Sequence, residues 1–201
     1  MCSSDLLDKI LPLVGVLIGL WLGPMFANRI QNRNNKNALK AELIQSIYLF
    51  FNYRKAGYGA TIRSNYNSEM ARRAWDKLKN VEQSLEMRNE NERQFSVVKN
   101  NADKEESRSN EYFDKLIEIE AIMLKQLTDI QRFYGNETYN AVSKLIQPHL
   151  DESNSSFLSD IGSMTNVDEK SNTYDIIEKL DNELTKKGDE LIQKVKAKII
   201  I

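Results

Sequence analysis

The stretch LIEIEAIMLKQLTDIQRFYG, residues 116–135, carries the strongest helical pattern in the chain. Its main apolar residues follow one another at intervals of 3, 4, 4, 3 and 4 positions. These intervals are close to the 3.6 residues of a helical turn, so the side chains fall on one face. Gly135 ends the stretch and is the residue type that most often closes a helix. The sequence predicts a helix over 110–134 that buries Leu116, Ile119, Met123, Leu127, Ile130 and Tyr134.

Downstream of this helix, the last part of the chain has the same spacing. Between residues 173 and 199 the apolar positions lie 3, 4, 4, 3, 4 and 4 residues apart, which predicts a second long amphipathic helix. A shorter helix is expected between Asn136, as its N-cap, and Pro148, and a loop-rich connection follows over 151–172. The face of the last helix is formed by Ile177, Leu180, Leu184, Gly188, Leu191, Val195 and Ile199.

Upstream, the pattern divides into shorter pieces. Residues 38–55 form an amphipathic helix that either packs on the other helices or lies on a membrane surface. Packing is favoured because Glu42 and Gln45 interrupt the basic face that a membrane-surface helix would show. The sequence further predicts a glycine-containing loop at 56–68, a helix over 69–100 and a polar linker at 100–110.

These segments predict an all-α fold. No stretch shows convincing alternation of apolar and polar residues with a period of two, and Pro and Gly are scarce, at 3 and 8 residues. In the last helix a strict heptad would place Lys187 and Lys194 in the buried seam, which disfavours a long left-handed coiled coil. We therefore expect an antiparallel helical bundle or hairpin of four to five helices after an N-terminal transmembrane helix.

The transmembrane helix is predicted from ILPLVGVLIGLWLGPMFA, residues 10–27, a run of 18 residues without a charge. A helix of this length spans about 27 Å, close to the ~30 Å hydrocarbon core of a bilayer. The alternatives are a cleaved signal peptide and a buried soluble helix. A signal peptide is disfavoured because Asp5 and Asp8 precede the run and Arg29 follows it closely. A buried helix of this length would rarely lack a polar face.

Basic residues near the span predict its orientation. Only Lys9 precedes the run, whereas Arg29, Arg33, Lys36 and Lys40 follow it before the first acid, Glu42. The positive-inside rule then places the C-terminal part in the cytoplasm, at the inner face of the cell membrane. The predicted divisions are an outer tail at 1–9, the span at 10–27, a basic juxtamembrane segment at 28–37 and a cytoplasmic domain at 38–201. The four cations either contact anionic lipid headgroups or only set the topology.

Small residues spaced four apart lie along one face of the predicted span. Gly15, Gly19, Gly23 and Ala27 form a glycine-zipper pattern that lets two helix backbones approach closely. The other interpretation is that membrane helices are simply rich in glycine. Pro24 removes a backbone donor, so we expect a bend near the cytoplasmic side. The glycine pattern predicts a homo-oligomer held by helix–helix contact.

The composition offers little for catalysis. One cysteine, Cys2, and one histidine, His149, cannot build a disulfide, a catalytic triad or a zinc cluster within one chain. No phosphate-binding or dinucleotide-binding motif is present. With 28 basic and 29 acidic residues, the balance gives no indication of nucleic-acid binding. We therefore expect no enzyme activity, no cofactor and no metal site.

The function predicted from these features is protein–protein interaction at a membrane. The chain is expected to be a self-associating, single-pass helical protein whose partners are the bilayer, further copies of itself and an unidentified protein. One form of this function is an oligomeric membrane effector of the toxin or defence type. The alternative is a soluble or peripheral partner-binding regulator whose first helix inserts only conditionally.

Overall fold

Helices account for almost all of the structure, a computed structural model that describes residues 4–79, 84–151 and 173–199. For residues 4–21 it describes the backbone, and side chains are described from residue 22 onward. Within these ranges there are four helices and no strand: α1 (Ser4–Leu78), α2 (Leu85–Tyr134), α3 (Asn136–Asp151) and α4 (Thr173–Lys198). The all-α prediction is confirmed. Of the loop predicted over 151–172, Asp151 is the last residue of α3, and residues 152–172 lie outside the described residues.

The first helix, α1, joins segments that the sequence analysis separates. It has 75 residues, a length of about 110 Å at 1.5 Å per residue. The loop predicted at 56–68 is wrong, because Gly57 and Gly59 lie inside the helix. A Cβ atom at Gly57 would lie 3.4 Å from Phe113 Cζ, and one at Gly59 would lie 3.8 Å from Ile177 Cγ2. Both glycines are buried, and α1 stays helical through them despite a propensity cost of about 1 kcal/mol per glycine.

The second helix, α2, also runs through a predicted break. The linker expected at 100–110 is wrong, because these residues are helical and both Ala102 and Ser109 are buried. Ser64 Oγ of α1 donates a hydrogen bond of 3.1 Å to the carbonyl oxygen of Ala102. The hydroxyls of Thr61 and Ser109 lie 2.7 Å apart. This part of α2 packs through small and hydroxyl-bearing residues, which an apolar spacing pattern does not reveal.

The chain reverses direction inside the region predicted as one helix over 69–100, so that prediction is wrong. α1 ends at Leu78 and α2 begins at Leu85. Ser84 is the N-cap of α2, and its side-chain oxygen accepts a hydrogen bond of 3.3 Å from Met87 N. A serine that satisfies a free backbone N–H in this way favours a helix start over a helix interior.

The junction between α2 and α3 is formed by Gly135. Its φ of 89° lies in the left-handed region that favours glycine, which confirms the predicted C-cap. Its carbonyl oxygen accepts a hydrogen bond of 3.1 Å from Tyr139 N, so it also precedes the first turn of α3. The predicted cap, Asn136, is one residue too late, since Asn136 is already helical. α3 continues through Pro148 to Asp151, where the buried Leu150 extends its apolar face.

The core is built from the faces that the spacing predicts. Leu43, Ile47 and Phe50 are fully buried, so the amphipathic segment 38–55 packs inside the bundle. In α4, five of the seven predicted face residues are buried: Leu184, Gly188, Leu191, Val195 and Ile199. In α2, five of the six predicted face residues are buried: Leu116, Ile119, Met123, Leu127 and Ile130.

Contacts along α1 divide the molecule into a bundle of all four helices, a hairpin arm and an N-terminal extension. Lys36 and Lys40 meet the ends of α2 and α4, and we call this the basal end of the bundle. At Phe51, α1 meets His149 of α3 and Gly188 of α4, so all four helices lie together there. Farther along, α1 and α2 form a two-helix hairpin arm. On the other side of the basal end, residues 4–35 of α1 form an N-terminal extension.

The hairpin arm is closed by aromatic and ionic contacts between α1 and α2. The rings of Trp75 and Phe95 lie 5.3 Å apart between centroids. Nearer the bundle, Arg63 Nε lies 2.8 Å from a carboxylate oxygen of Glu105, and Arg108 lies 2.7 Å from its other oxygen. The two long helices therefore stay paired well beyond the four-helix core.

Candidate functional site

The N-terminal extension presents apolar side chains to solvent. Every described side chain between residues 22 and 35 is exposed. Four of them are large and apolar: Leu22 is 37% exposed, Met25 49%, Phe26 58% and Ile30 61%. A run of large apolar groups on one unpacked helix is unusual for a protein surface and marks a surface that contacts something else.

The predicted glycine face points away from the rest of the chain. A Cβ atom built on Gly23 would meet no atom within 4 Å, and Ala27 is exposed. The surroundings of Gly15 and Gly19 are not among the features that the structure describes. In the part of the chain that the structure describes, α1 therefore has no neighbouring helix close to Gly23, and Ala27 is exposed.

Within the described residues, no helix contains a segment that is both long and apolar enough to cross a membrane. Of the predicted span, the side chains of residues 10–21 lie outside this description. The backbone of α1 runs through Pro24 as a single helix.

The four cations predicted to follow the span occupy two different environments. Arg29 and Arg33 are exposed on the extension, one turn apart along the helix. Lys36 and Lys40 are half-buried at the basal end, where each contacts another helix. The sequence places all four in one basic segment, and the structure gives the second pair an additional role in packing.

Tyr134 fastens the end of α2 to the start of the bundle in α1. Its hydroxyl donates a hydrogen bond of 2.8 Å to the carbonyl oxygen of Lys36. The Lys36 ammonium lies 5.0 Å from the centre of the Tyr134 ring, within the range of a cation–π interaction. Partial burial raises the pKa of Tyr134, so its hydroxyl keeps its proton and remains a donor. The spacing pattern identifies Tyr134 as a face residue but not its hydrogen bond.

Lys40 fastens the end of α4 to the same place. Its Nζ donates a hydrogen bond of 2.6 Å to the carbonyl oxygen of Ile199 and lies 3.4 Å from that of Lys196. The last carbonyl groups of a helix lack partners within the helix and carry a partial negative charge, which a lysine ammonium satisfies. This pairing joins residues more than 150 positions apart, and no local sequence pattern predicts it.

A buried arginine lies deeper in the bundle. Arg54 is 5% exposed, and its Nε donates a hydrogen bond of 2.6 Å to the Tyr58 hydroxyl. Its guanidinium carbon also lies 5.8 Å from the centre of the Phe50 ring. The sequence analysis missed this residue, although Phe50, Arg54 and Tyr58 are spaced four apart on the buried face. The arrangement orders one side of α1 and contains no nucleophile or acid–base pair.

The described residues hold no group of three or more His, Cys, Asp or Glu side chains that could bind a metal ion. The single histidine, His149, packs edge-to-face against Phe51 with 5.5 Å between ring centres. Among the groups described, the basal end and the extension thus remain the regions with the clearest capacity to bind a partner.

No protein-family model matches the chain, and neither a curated protein nor a solved structure shows significant similarity to it. The class that the fold defines is an all-helical bundle with a single helix extending from its basal end.

Proposed function

We propose that this chain is a non-enzymatic, single-pass membrane protein that holds a helical interaction domain at the inner face of the cell membrane. The observation that carries the proposal is the continuity of α1. The same helix contains the uncharged run 10–27 and one full edge of the bundle. Its length exceeds what is needed to cross a hydrocarbon core of ~30 Å.

The exposed part of the extension supports this arrangement. Leu22, Met25 and Phe26 belong to the uncharged run or its end, and each has at least a third of its side chain exposed. Burial in lipid would remove this apolar surface from water, at about 25 cal/mol per Å². Arg29 and Arg33 follow within two turns, at the level where cationic groups meet lipid headgroups.

Self-association through the glycine face is the second part of the proposal. Within the described residues, a Cβ atom on Gly23 would meet no other atom within 4 Å and Ala27 is exposed, so the face has room for a second copy of α1. Because Lys36 and Lys40 fasten α1 to α2 and α4, a rotation or tilt of the span would move the whole bundle. An oligomeric membrane effector that changes permeability is the specific form of function proposed for such an assembly.

Membrane insertion and orientation are tested in cells. The full chain should resist extraction by alkaline carbonate. With Cys2→Ser in place, a cysteine at Ser3→Cys should react with a membrane-impermeant thiol reagent in intact cells. A cysteine at Ser84→Cys, at the far tip of the hairpin arm, should react only after lysis. Extraction by carbonate would contradict a stable span, and the reverse labelling pattern would contradict the proposed orientation.

The glycine face is tested by Gly19→Leu, which places a large side chain on the proposed contact. Ile18→Leu is the matched control, because it keeps an apolar residue of similar size off the stripe. Gly19→Leu should lower the oligomer mass in detergent and abolish any permeability change, whereas Ile18→Leu should not. If self-association survives Gly19→Leu unchanged, another surface holds the oligomer.

A second candidate is a peripheral regulator that binds a protein partner. Ile117 is 62% exposed and Leu124 50% exposed, and with Ala121 they form an apolar strip along one side of α2. Paired substitution of Ile117 and Leu124 by serine should then abolish co-purification of a partner and leave the membrane fraction unchanged. Complete carbonate extraction of the native chain would favour this candidate over the anchored one.

A further inference from the structure

The basal end gathers positive charge from parts of the chain that are distant in sequence. The segment 28–40 carries four cations and no acid. The end of α2 and start of α3, residues 131–137, add Arg132 and one acid, Glu137. The end of α4, residues 194–199, adds three lysines and no acid. Together these segments hold eight of the 28 basic residues of the chain but only one of its 29 acidic residues.

Two hydrogen bonds bring the three segments together. The Lys40 hydrogen bond to Ile199 places the end of α4 beside α1. The Tyr134 hydrogen bond to Lys36 places the end of α2 beside the same stretch. Arg132, Lys194, Lys196 and Lys198 are all exposed. The sequence shows only a basic segment after the apolar run, and the fold adds four more cations to that segment.

Among the residues that the structure describes, acids close to these cations neutralise little of their charge. Lys194 lies 4.0 Å from a carboxylate oxygen of Glu190, at the limit of an ion pair between exposed groups. Glu137 lies at the start of α3, and Glu42 lies one half-turn beyond Lys40. The chain as a whole has a net charge of −1, so the excess of positive charge in these three segments is local.

The position of this surface relative to the extension indicates its ligand. Lys36 follows Ala27 by nine residues, about 14 Å along a helix. If α1 enters a bilayer at Ala27, the basal end faces the headgroup layer across a gap that long lysine side chains and a modest helix tilt can close. Exposed apolar groups beside a cationic surface favour a lipid membrane, which takes up both the apolar and the cationic groups, over a nucleic acid, whose binding rests mainly on phosphate contacts.

We propose that the basal end is a docking surface for anionic lipid headgroups, formed by Arg29, Arg33, Arg132, Lys194, Lys196 and Lys198. The proposal rests on the membrane anchoring proposed above and adds a ligand class to it. Docking fixes the angle of the bundle against the membrane, because contacts are made by α1, by the end of α2 and by the end of α4. A membrane without anionic lipid leaves the bundle held by the anchor alone.

The test uses the full chain reconstituted into vesicles of phosphatidylcholine, with or without phosphatidylglycerol. A fluorophore is attached at Asn136→Cys in a Cys2→Ser background, since Asn136 is exposed at the basal end. Spin-labelled headgroups quench the fluorophore when the basal end docks. We expect strong quenching in anionic vesicles, weak quenching in neutral ones, and loss of the difference at high salt.

Two triple variants separate the docking surface from general charge. The first variant changes Lys194, Lys196 and Lys198 together to Gln. It should weaken docking about tenfold or more. The control changes Lys179, Lys186 and Lys187 to Gln. These residues are also exposed on α4 but lie farther from its end, so docking should be unchanged. Circular dichroism checks that both variants keep their helix content.

The outcomes distinguish this proposal from the anchoring proposal. Equal quenching in neutral and anionic vesicles, or equal loss in both triple variants, overturns lipid docking even when carbonate extraction supports the anchor. If carbonate removes the chain but anionic vesicles still quench the fluorophore, the anchor fails and the docking surface stands. If an oligonucleotide binds the basal end more tightly than anionic vesicles do, the surface is a nucleic-acid site and lipid docking is overturned.

Discussion

The ammonium of Lys40 donates a hydrogen bond of 2.6 Å to the carbonyl oxygen of Ile199, and this bond joins α1 to the end of α4 at the basal end of the bundle. Nearby, the Tyr134 hydroxyl donates a hydrogen bond to the carbonyl oxygen of Lys36. At the basal end, one contact joins α1 to the end of α4 and the other joins α1 to the end of α2. They also couple the extension to the bundle, because both lie on the stretch of α1 where the extension begins.

Replacing Lys40 by Met should loosen the end of α4. Met keeps the apolar stem of the side chain but removes the donor, so the free energy of unfolding should fall by about 1 kcal/mol. Hydrogen exchange at residues 195–199 should accelerate more than exchange in α3. Lys99→Met, on an exposed face of α2, is the control and should leave both quantities unchanged within about 0.5 kcal/mol. Equal effects in the two variants would contradict a specific role for Lys40.

Replacing Gly188 by Ala should destabilise the bundle despite the better helix propensity of Ala. The added Cβ would lie 3.0 Å from Phe51 Cγ and 3.2 Å from Cδ2. The Phe51 ring is buried and held between Phe50 and His149, so it has little room to move. We expect a net loss of about 1–2 kcal/mol in urea unfolding, since overpacking outweighs a propensity gain of about 1 kcal/mol.

Gly59→Ala is the matched comparison for that substitution. Its Cβ would meet the end of the flexible Arg63 side chain at 3.3 Å and Ile177 Cγ2 at 3.8 Å. The arginine can shift, so this change should be neutral or should stabilise by up to about 1 kcal/mol. A destabilisation as large as that of Gly188→Ala would show that both glycines are required for close helix contact.

Adjacent residues on α2 should respond very differently to truncation. Met123 is fully buried in the core, whereas Leu124 is 50% exposed. Met123→Ala leaves a cavity and should cost about 3 kcal/mol in chemical denaturation. Leu124→Ala should change the free energy of unfolding by about 0.5 kcal/mol or less. Similar losses would mean that α2 is rotated relative to the face described above.

Low pH should weaken the contact between α1 and α2 at Glu105, where the hairpin arm meets the bundle. Burial acts to raise the pKa of this carboxyl, but the hydrogen bonds and charges of Arg63 and Arg108 outweigh it and hold the pKa below its ordinary value of 4.5. Because the pKa of Glu105 is lowered in the folded state, its ionised carboxylate stabilises the fold at pH values above the ordinary pKa of 4.5. This stability is lost as the pH falls below about 4.5 and through the lowered pKa.

Glu105→Gln tests this dependence. Its side chain is 12% exposed, but Arg63 and Arg108 are 41% and 49% exposed, so solvent screening limits the loss at neutral pH to about 1 kcal/mol. The stability of the variant should fall less steeply than that of the native chain between pH 5 and about pH 3. Parallel pH profiles for the two proteins would contradict the assignment.

Several features of the fold could be predicted because local spacing alone determines them. The faces of α2 and α4 follow from apolar residues at helical intervals, and Gly135 ends α2 because few other residues adopt its φ of 89°. The uncharged run and the four following cations are likewise visible in the sequence.

Other features were decided by partners that are distant in the chain. Gly57 and Gly59 read as helix breakers, yet α1 continues through both, and the neighbouring Tyr58, Ala60 and Ile62 are buried. The polar residues at 100–110 read as a linker, yet Ser109 and Ala102 find hydrogen-bond partners on α1. Local propensities amount to about 1 kcal/mol per residue, and tertiary contacts of that size or larger override them.

The sequence by itself determined that this protein is helical, which faces of its later helices are buried, and that a basic segment follows an apolar run. Only the tertiary structure decided that α1 and α2 are long continuous helices and that the ends of α2 and α4, which carry Arg132, Lys194, Lys196 and Lys198, lie beside the basic segment of α1. The physical reason is that helical periodicity acts within a few turns of chain. By contrast, the Lys40–Ile199 and Tyr134–Lys36 contacts exist only after distant helices have packed.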